Sequence, residues 1–202
     1  MKTYKEVLLD YIPEESVSGV LEFLNTSNVQ LKITKSRSTK LGDYRPNIRS
    51  KFHKISVNHD LNKYHFLVTL IHEFAHLNTW EKHNRRVKPH GNEWKQSYKE
   101  LMDPYLNEAI FPEDILTVLH KFLKNPTSSS VDTELTKKMR EYDNGKKYLT
   151  LEELPDDSLF KIYNGIIFKK LERIRKRYKC KRIDNNRIYL ISPIMEVVPV
   201  VG

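Results

Sequence analysis

Residues His72-Glu73-Phe74-Ala75-His76 constrain this chain more than any other stretch, because they set two imidazoles four positions apart inside a helical pattern. At 3.6 residues per turn the two rings leave the same face and can share one Zn²⁺, and the glutamate between them can reach a water held there. The chemistry this implies is hydrolysis. From Leu61 to about Asn84 the apolar residues fall at Phe66, Leu67, Leu70, Ile71, Phe74 and Ala75, the spacing of one buried helical face, with Asp60 as candidate N-cap. His65, Thr69, His72 and His76 line an adjoining face, as expected of a helix that floors a cleft.

A catalytic zinc site takes three protein ligands and leaves one position open. Thr79 and Lys82 stand where a metzincin would carry glycine and histidine, which excludes that arrangement, and His83 misses by one position. Glu93 or Glu100 would serve in a thermolysin-like arrangement. His90, in Pro89-His90-Gly91-Asn92-Glu93-Trp94, is better placed, because it sits where a helix begins and Gly91 keeps bulk away.

HEFAH followed by His90-Gly91-x-x-Trp94 resembles the SprT-like family of zinc metallopeptidases, whose pattern joins HExxH to an HGxxF/W segment. Thr34 to Gly42 and Ile55 to Asn58 resemble the hairpin that this family places before its active-site helix, so the resemblance spans about residues 20 to 105. It implies His72, His76 and His90 as ligands of Zn²⁺ and Glu73 as general base. The fold it implies is α+β: a zincin-like core of helices plus a small antiparallel sheet, followed by a small C-terminal β-rich module. Many members carry a C-terminal zinc ribbon with four cysteines, whereas this chain has only Cys180, so a second structural zinc is excluded on ligand count. Arg177 to Cys180 and Arg187 to Pro193 resemble the β-rich end of the family with those ligands removed.

At 202 residues, 39% of them hydrophobic, the chain can bury one good core and a small second module. A lone cysteine forms no intrachain disulfide, and neither a signal peptide nor a membrane-length apolar run is evident, which points to a cytoplasmic address. The expected organisation is a peptidase domain over 1–110, a helical connector over 111–150 with a linker at 125–130, and a basic β-rich module over 151–202. Residues 5–24 read as short helices broken at Pro13, and Val29 to Thr34 and Lys54 to Asn58 as strands flanking a basic loop. Helices are expected after Gly91 to Met102, over Ile115 to Leu123 and over Asp132 to Tyr142. From Leu159 the pattern turns to strands, with a hairpin turn at Asp184-Asn185-Asn186 and Cys180 as a small core residue.

The net charge of +9 is concentrated: residues 169–187 hold ten Lys or Arg against Glu172 and Asp184. If Arg173 to Arg182 is one strand, then Arg173, Arg175, Arg177, Lys179 and Lys181 share a face at a pitch of about 6.5–7 Å, close to the separation of successive phosphates. Such a row reads as a nucleic-acid backbone contact, with Tyr163, Phe168 and Tyr189 near enough to stack on bases. A second basic cluster, Lys35, Arg37, Lys40, Arg45, Arg49 and Lys51, precedes the motif helix. The competing reading is a solvated cationic face that protects an edge strand from aggregation.

Three functions compete. In the leading one, a zinc endopeptidase acts on a protein or peptide substrate paired along an edge strand at Leu31 to Lys35, with Glu73 moving the proton. The resemblance and the basic tail together place that substrate among proteins trapped on single-stranded or damaged DNA. The second is a nucleic-acid-binding protein whose zinc site is mainly structural. The third is a regulatory HExxH peptidase that cuts one transcription repressor.

Overall fold

The computed structural model describes residues 3–37, 39–47, 52–127, 132–143, 145 and 149–200. Among these, six α-helices and two sheets make an α+β chain, which divides into two compact units, Met1–Asn144 and Gly145–Gly202. No helix among the described residues is long and apolar enough to cross a membrane.

In the first unit, Thr3 and Glu6 close a reciprocal capping box that starts helix α1 (Tyr4–Tyr11). Pro13 breaks the helix, a short 3₁₀ turn follows, and α2 runs over Val17–Thr26. Three strands come next: β1 (Val29–Thr34), β2 (Gly42–Arg45) and β3 (His53–Asn58), in the spatial order β1-β3-β2. β1 and β3 are parallel, and only β2 is antiparallel to β3. The sheet is therefore mixed, and the expected small antiparallel sheet built on a hairpin is corrected. The chain after β1 forms a strand of its own on the far edge of β3 before returning, so the two apolar strands end up running the same way.

Helix α3 (Lys63–His83) begins at Asn62, whose side chain accepts from the His65 N–H at 2.9 Å; Asp60 lies in the preceding turn. Asn62 is selected over Asp60 because its amide also donates to the Met139 carbonyl, at 2.7 Å, and to Asp143, at 2.6 Å. Phe66, Leu67, Leu70, Ile71, Phe74 and Ala75 are each at most 1% exposed, as their spacing requires, and Val68 and Leu77 are buried too. The helix is wrapped on nearly every side. Helices α4 (Asn92–Met102), α5 (Glu113–Leu123) and α6 (Thr133–Arg140) complete the unit, with Tyr98, Ile115, Leu119, Leu135 and Met139 in the same core as α3. The described residues of 111–143, read as part of a connector, thus pack into the core of the first unit. Of the linker at 125–130, residues 128–130 lie outside the described ones.

The second unit is a five-stranded antiparallel sheet of β4 (Leu159–Lys161), β5 (Ile167–Ile174), β6 (Arg177–Arg182), β7 (Ile188–Ile191) and β8 (Val198–Pro199), ordered β7-β6-β5-β4-β8. Leu151, Leu154, Phe160, Phe168, Cys180, Ile191 and Val197 form its core, and burial pushes the Cys180 thiol up to about 11. Lys170, 2% exposed, enters this core to donate to the Leu154 carbonyl at 2.5 Å, and its ammonium lies 4.2 Å from the centre of the Tyr178 ring. It satisfies a carbonyl that the module cannot expose to water. Replacing Lys170 by Ala is expected to cost about 2–4 kcal/mol, read as faster amide exchange across β4 to β6 with the first unit unchanged.

His65 carries a different prediction. Burial first, and Arg140 second, pull its imidazole down to about 4 from an ordinary 6.5, against a smaller opposing effect of Asp60. Above 6.5 it is neutral folded and unfolded, and contributes no pH dependence. As pH falls from about 6.5 to 4 the unfolded chain takes up a proton that the folded one refuses, so stability falls, by up to about 1.4 kcal/mol per pH unit. Urea unfolding at stepped pH should show a shallower slope in that window for His65→Gln than for wild type.

Candidate metal centre

The helical pitch of α3 brings His72 and His76 one turn apart on one side. After His83 the chain turns through a 3₁₀ segment, Asn84–Arg86, and reaches His90, whose φ of 57° is left-handed. That backbone is uncommon for a residue with a ring, and it precedes Gly91, where a Cβ would lie 2.9 Å from the Lys88 carbonyl oxygen. The tight turn folds the His90 ring back over α3. The Nε2 atoms of the three histidines then lie 3.2 Å apart for His72 and His76 and 3.1 Å for each of the other two pairs.

Three nitrogens so arranged fit a single cation. Donors 2.0–2.1 Å from one tetrahedral centre stand about 3.3–3.4 Å from each other, within a few tenths of an ångström of these separations. Protons do not satisfy the triangle, since three N–H groups aimed at one centre repel. Burial lowers all three imidazoles: His72 well below 6.5, His76 to about 4 and His90 also downward, with the neighbouring histidines adding to the effect at His72 and His76. All three imidazoles are neutral at physiological pH. Among the described residues, this triad is the one group of His, Cys, Asp or Glu able to hold a metal. Trp94 floors it, with ring centres 4.6, 5.5 and 4.7 Å from His72, His76 and His90, and stacks in turn on Tyr98 at 5.1 Å. Glu93 and Glu100, the alternative third ligands, line a cavity of about 320 Å³ between α3 and α4 whose walls include none of the three histidines.

Glu73 is 6% exposed and lies under β2. Burial, then the charge of Asp43, raise its carboxyl to about 8, against the Tyr44 backbone N–H, Arg37 and Lys40, which lower it. The strand reaches this position because Gly42 has no side chain: a Cβ there would lie 2.8 Å from Thr69 Cγ2 and 2.9 Å from Glu73 Cγ. The alternation of antiparallel pairing explains the Tyr44 contact. Asn58 N–H bonds the Leu41 carbonyl, so residues 41 and 58 form a hydrogen-bonded pair. Gly42 and Tyr44, opposite Val57 and Ile55, then turn their main-chain groups away from β3 toward the free edge. Arg37 locks the preceding loop, donating to Asn58 Oδ1 at 2.8 Å, Ser56 Oγ at 3.0 Å and the Leu41 carbonyl at 3.3 Å.

Three residues at this site were not visible as such in the sequence: Gly42, Tyr44 and His53. The Tyr44 hydroxyl lies 2.8 Å from His53 Nδ1, and its ring is nearly parallel to His76, at 8° and 6.3 Å between centres. Burial first, then Glu81, push the Tyr44 hydroxyl above its ordinary range. The signal for β2 was present as alternation, with Gly42 and Tyr44 on one face and Asp43 and Arg45 on the other.

The basic residues are distributed otherwise than expected. Arg37 serves the loop, Lys40 and Arg45 both pair with Asp43 at 2.8 and 2.7 Å, and Arg49 and Lys51 lie outside the described residues. Arg173 to Arg182 is not one strand: β5 ends at Ile174, and Arg175, with φ 52°, sits in the turn. Arg173 pairs with Tyr178, so it faces the side opposite Arg177, Lys179 and Lys181. The row of five is corrected to three, with Lys169 beside Lys181 and with Lys179 bonded to Glu172 at 2.7 Å. Of the aromatics, Phe168 is core, while Tyr163 and Tyr189 are exposed.

Gly42→Ala is expected to lower stability by about 1–3 kcal/mol and to displace Glu73 while metal stoichiometry stays at the wild-type value. Asp43→Ala, on the opposite face of the strand, should leave Glu73 in place. Urea unfolding and elemental analysis read both.

No curated protein and no solved structure matches this chain. A family model described as the SprT-like family matches residues 8–112, a span that begins in α1, ends just before α5 and encloses the three histidines, Glu73 and β2. With more than half of its length matched, all of it within the first unit, the chain belongs to the SprT-like family.

Proposed function

We propose that the chain is a zinc-dependent endopeptidase with a zincin-like core. The single observation that carries this reading is the donor set: three neutral imidazole nitrogens 3.1–3.2 Å apart, with a buried carboxylate one residue from the first and outside the set. Structural zinc sites are closed by four protein ligands, whereas three leave a position for chemistry, which favours a peptidase over a mainly structural zinc. His72, His76 and His90 would hold the ion, which when bound acts as a Lewis acid on a carbonyl and on water. Glu73 takes the proton from the attacking water and returns it to the leaving amine.

The substrate strand is reassigned from β1 to β2. β1 borders a groove formed with Tyr4, Val7 and Leu8, whereas β2 lies over Glu73 and turns the main-chain groups of Gly42 and the carbonyl of Tyr44 to its free edge. An extended peptide that adds to this edge is held through its backbone, which gives little sequence selectivity. DNA-associated proteins are the proposed substrates, on the strength of the +9 charge and the cations Lys169, Arg177, Lys179 and Lys181 gathered on one sheet face.

Elemental analysis should find one zinc per chain, lost in His90→Ala. Glu73→Gln should keep zinc and lose cleavage by about 10²–10⁴-fold. Cleavage of a DNA-bound protein that rises with added DNA, and whose stimulation fades with salt, supports the substrate class; cleavage of one partner irrespective of DNA selects the regulatory peptidase. Zinc and DNA binding with no cleavage by wild type would overturn the enzyme reading.

A further inference from the structure

Amide hydrolysis builds negative charge on the carbonyl oxygen, and in a dry cleft a preorganised hydrogen-bond donor at that oxygen is worth orders of magnitude in rate. Two donors near the histidines do not serve. Trp94 Nε1 is buried beneath the triad, out of reach of a substrate, and the Tyr98 hydroxyl is buried and donates to the Val68 carbonyl at 3.4 Å. A third donor stands on the open side. Tyr44 is half-buried on the edge strand, its ring parallel to the His76 imidazole and its hydroxyl 2.8 Å from His53 Nδ1.

Resting on the peptidase reading, we propose that Tyr44 is a catalytic residue whose hydroxyl donates a hydrogen bond to the developing oxyanion, and that His53 is the positioning residue that aims it. The pair is built on the sheet rather than on a loop. Tyr44 lies opposite Ile55, and His53, two residues before Ile55, projects from the same face, the one that meets α3. The two rings stack at 18° with centres 5.7 Å apart, which leaves the phenol little freedom. When His53 carries its proton on Nδ1, it donates to the Tyr44 oxygen. The phenolic hydrogen is then free to point at the cleft, and the bond received makes it a stronger donor. Gly42, two residues before Tyr44 on the same strand, packs against the Glu73 side chain, so one strand places the donor and the base relative to each other. No proton is transferred by Tyr44; it donates a hydrogen bond and keeps its hydrogen.

The test uses the full-length, zinc-loaded chain and compares wild type with Tyr44→Phe, which keeps the ring and removes the hydroxyl, and with His53→Ala. Zinc content, melting temperature and KM for a peptide are expected to stay near wild type. For Tyr44→Phe, kcat should fall by about 10²–10³-fold. Affinity for a peptide phosphinate, a stable mimic of the tetrahedral anion measured by calorimetry, should weaken in Tyr44→Phe, whereas an unmodified peptide should bind Glu73→Gln equally with and without Tyr44→Phe. His53→Ala should lose less, and the double variant no more than Tyr44→Phe alone. Wild-type kcat and phosphinate affinity in Tyr44→Phe, or loss of zinc from it, would overturn the proposal. If wild type cleaves nothing, the peptidase reading fails while the phosphinate titration still decides: weaker binding in Tyr44→Phe sustains the donor, and equal or absent binding removes it.

Discussion

A helix wrapped on nearly every side has no place for charge, and α3 nonetheless buries His65, Thr69, His72, Glu73 and Thr79. The first unit is organised around resolving that conflict. Burial keeps the imidazoles neutral, so their nitrogens can approach one another closely, and it holds the carboxyl of Glu73 far above its usual range. Some of the other polar groups are answered by specific neighbours: Asn62 takes the His65 N–H and Thr79 donates to the Ala75 carbonyl. The sheet edge lies close over this carboxyl because Gly42, with no side chain, lets the strand approach Thr69 and Glu73.

Much of this was legible in the residues. Apolar periodicity located α3, α4 and α5, because a buried helical face leaves a strong repeating signal. The spacing of HEFAH and His90 identified the nitrogens that meet, since helix pitch and a glycine-flanked turn determine them locally. β2 escaped because Gly42-Asp43-Tyr44-Arg45 carries one apolar side chain and is held by contacts with α3, distant in sequence. The parallel pairing of β1 with β3 escaped for a related reason: strand direction is decided by where the intervening chain goes. Asp60 and Asn62 are both good caps by type, and only the long-range bonds to Met139 and Asp143 separate them.

The second unit shows how sequence charge differs from presented charge. Ten cations in nineteen positions suggest a continuous basic ridge, but the chain reverses at Arg175 and Lys176 and splits them between two faces and a turn. Lys170 is withdrawn into the core, and Lys169, Lys179 and Arg182 each meet a carboxylate within 2.7 Å. Such exposed pairs add little to stability, yet they lower the field that a polyanion would sense. Alternation predicted the burial of Cys180 correctly because it depends on one strand alone; the fate of the arginines depended on where that strand ended.

The left-handed backbone of His90 links metal binding to conformation. An L-residue there carries about 1–2 kcal/mol of strain that its neighbours do not relieve by sequence, since the glycine stands one position later. On the proposed metal reading, an ion held by the triad would draw its third nitrogen from a turn that carries this strain. The coupling runs in both directions. Metal binding would in turn favour the folded turn over residues 84–91, so on that reading this short loop is where loading and folding would become one equilibrium.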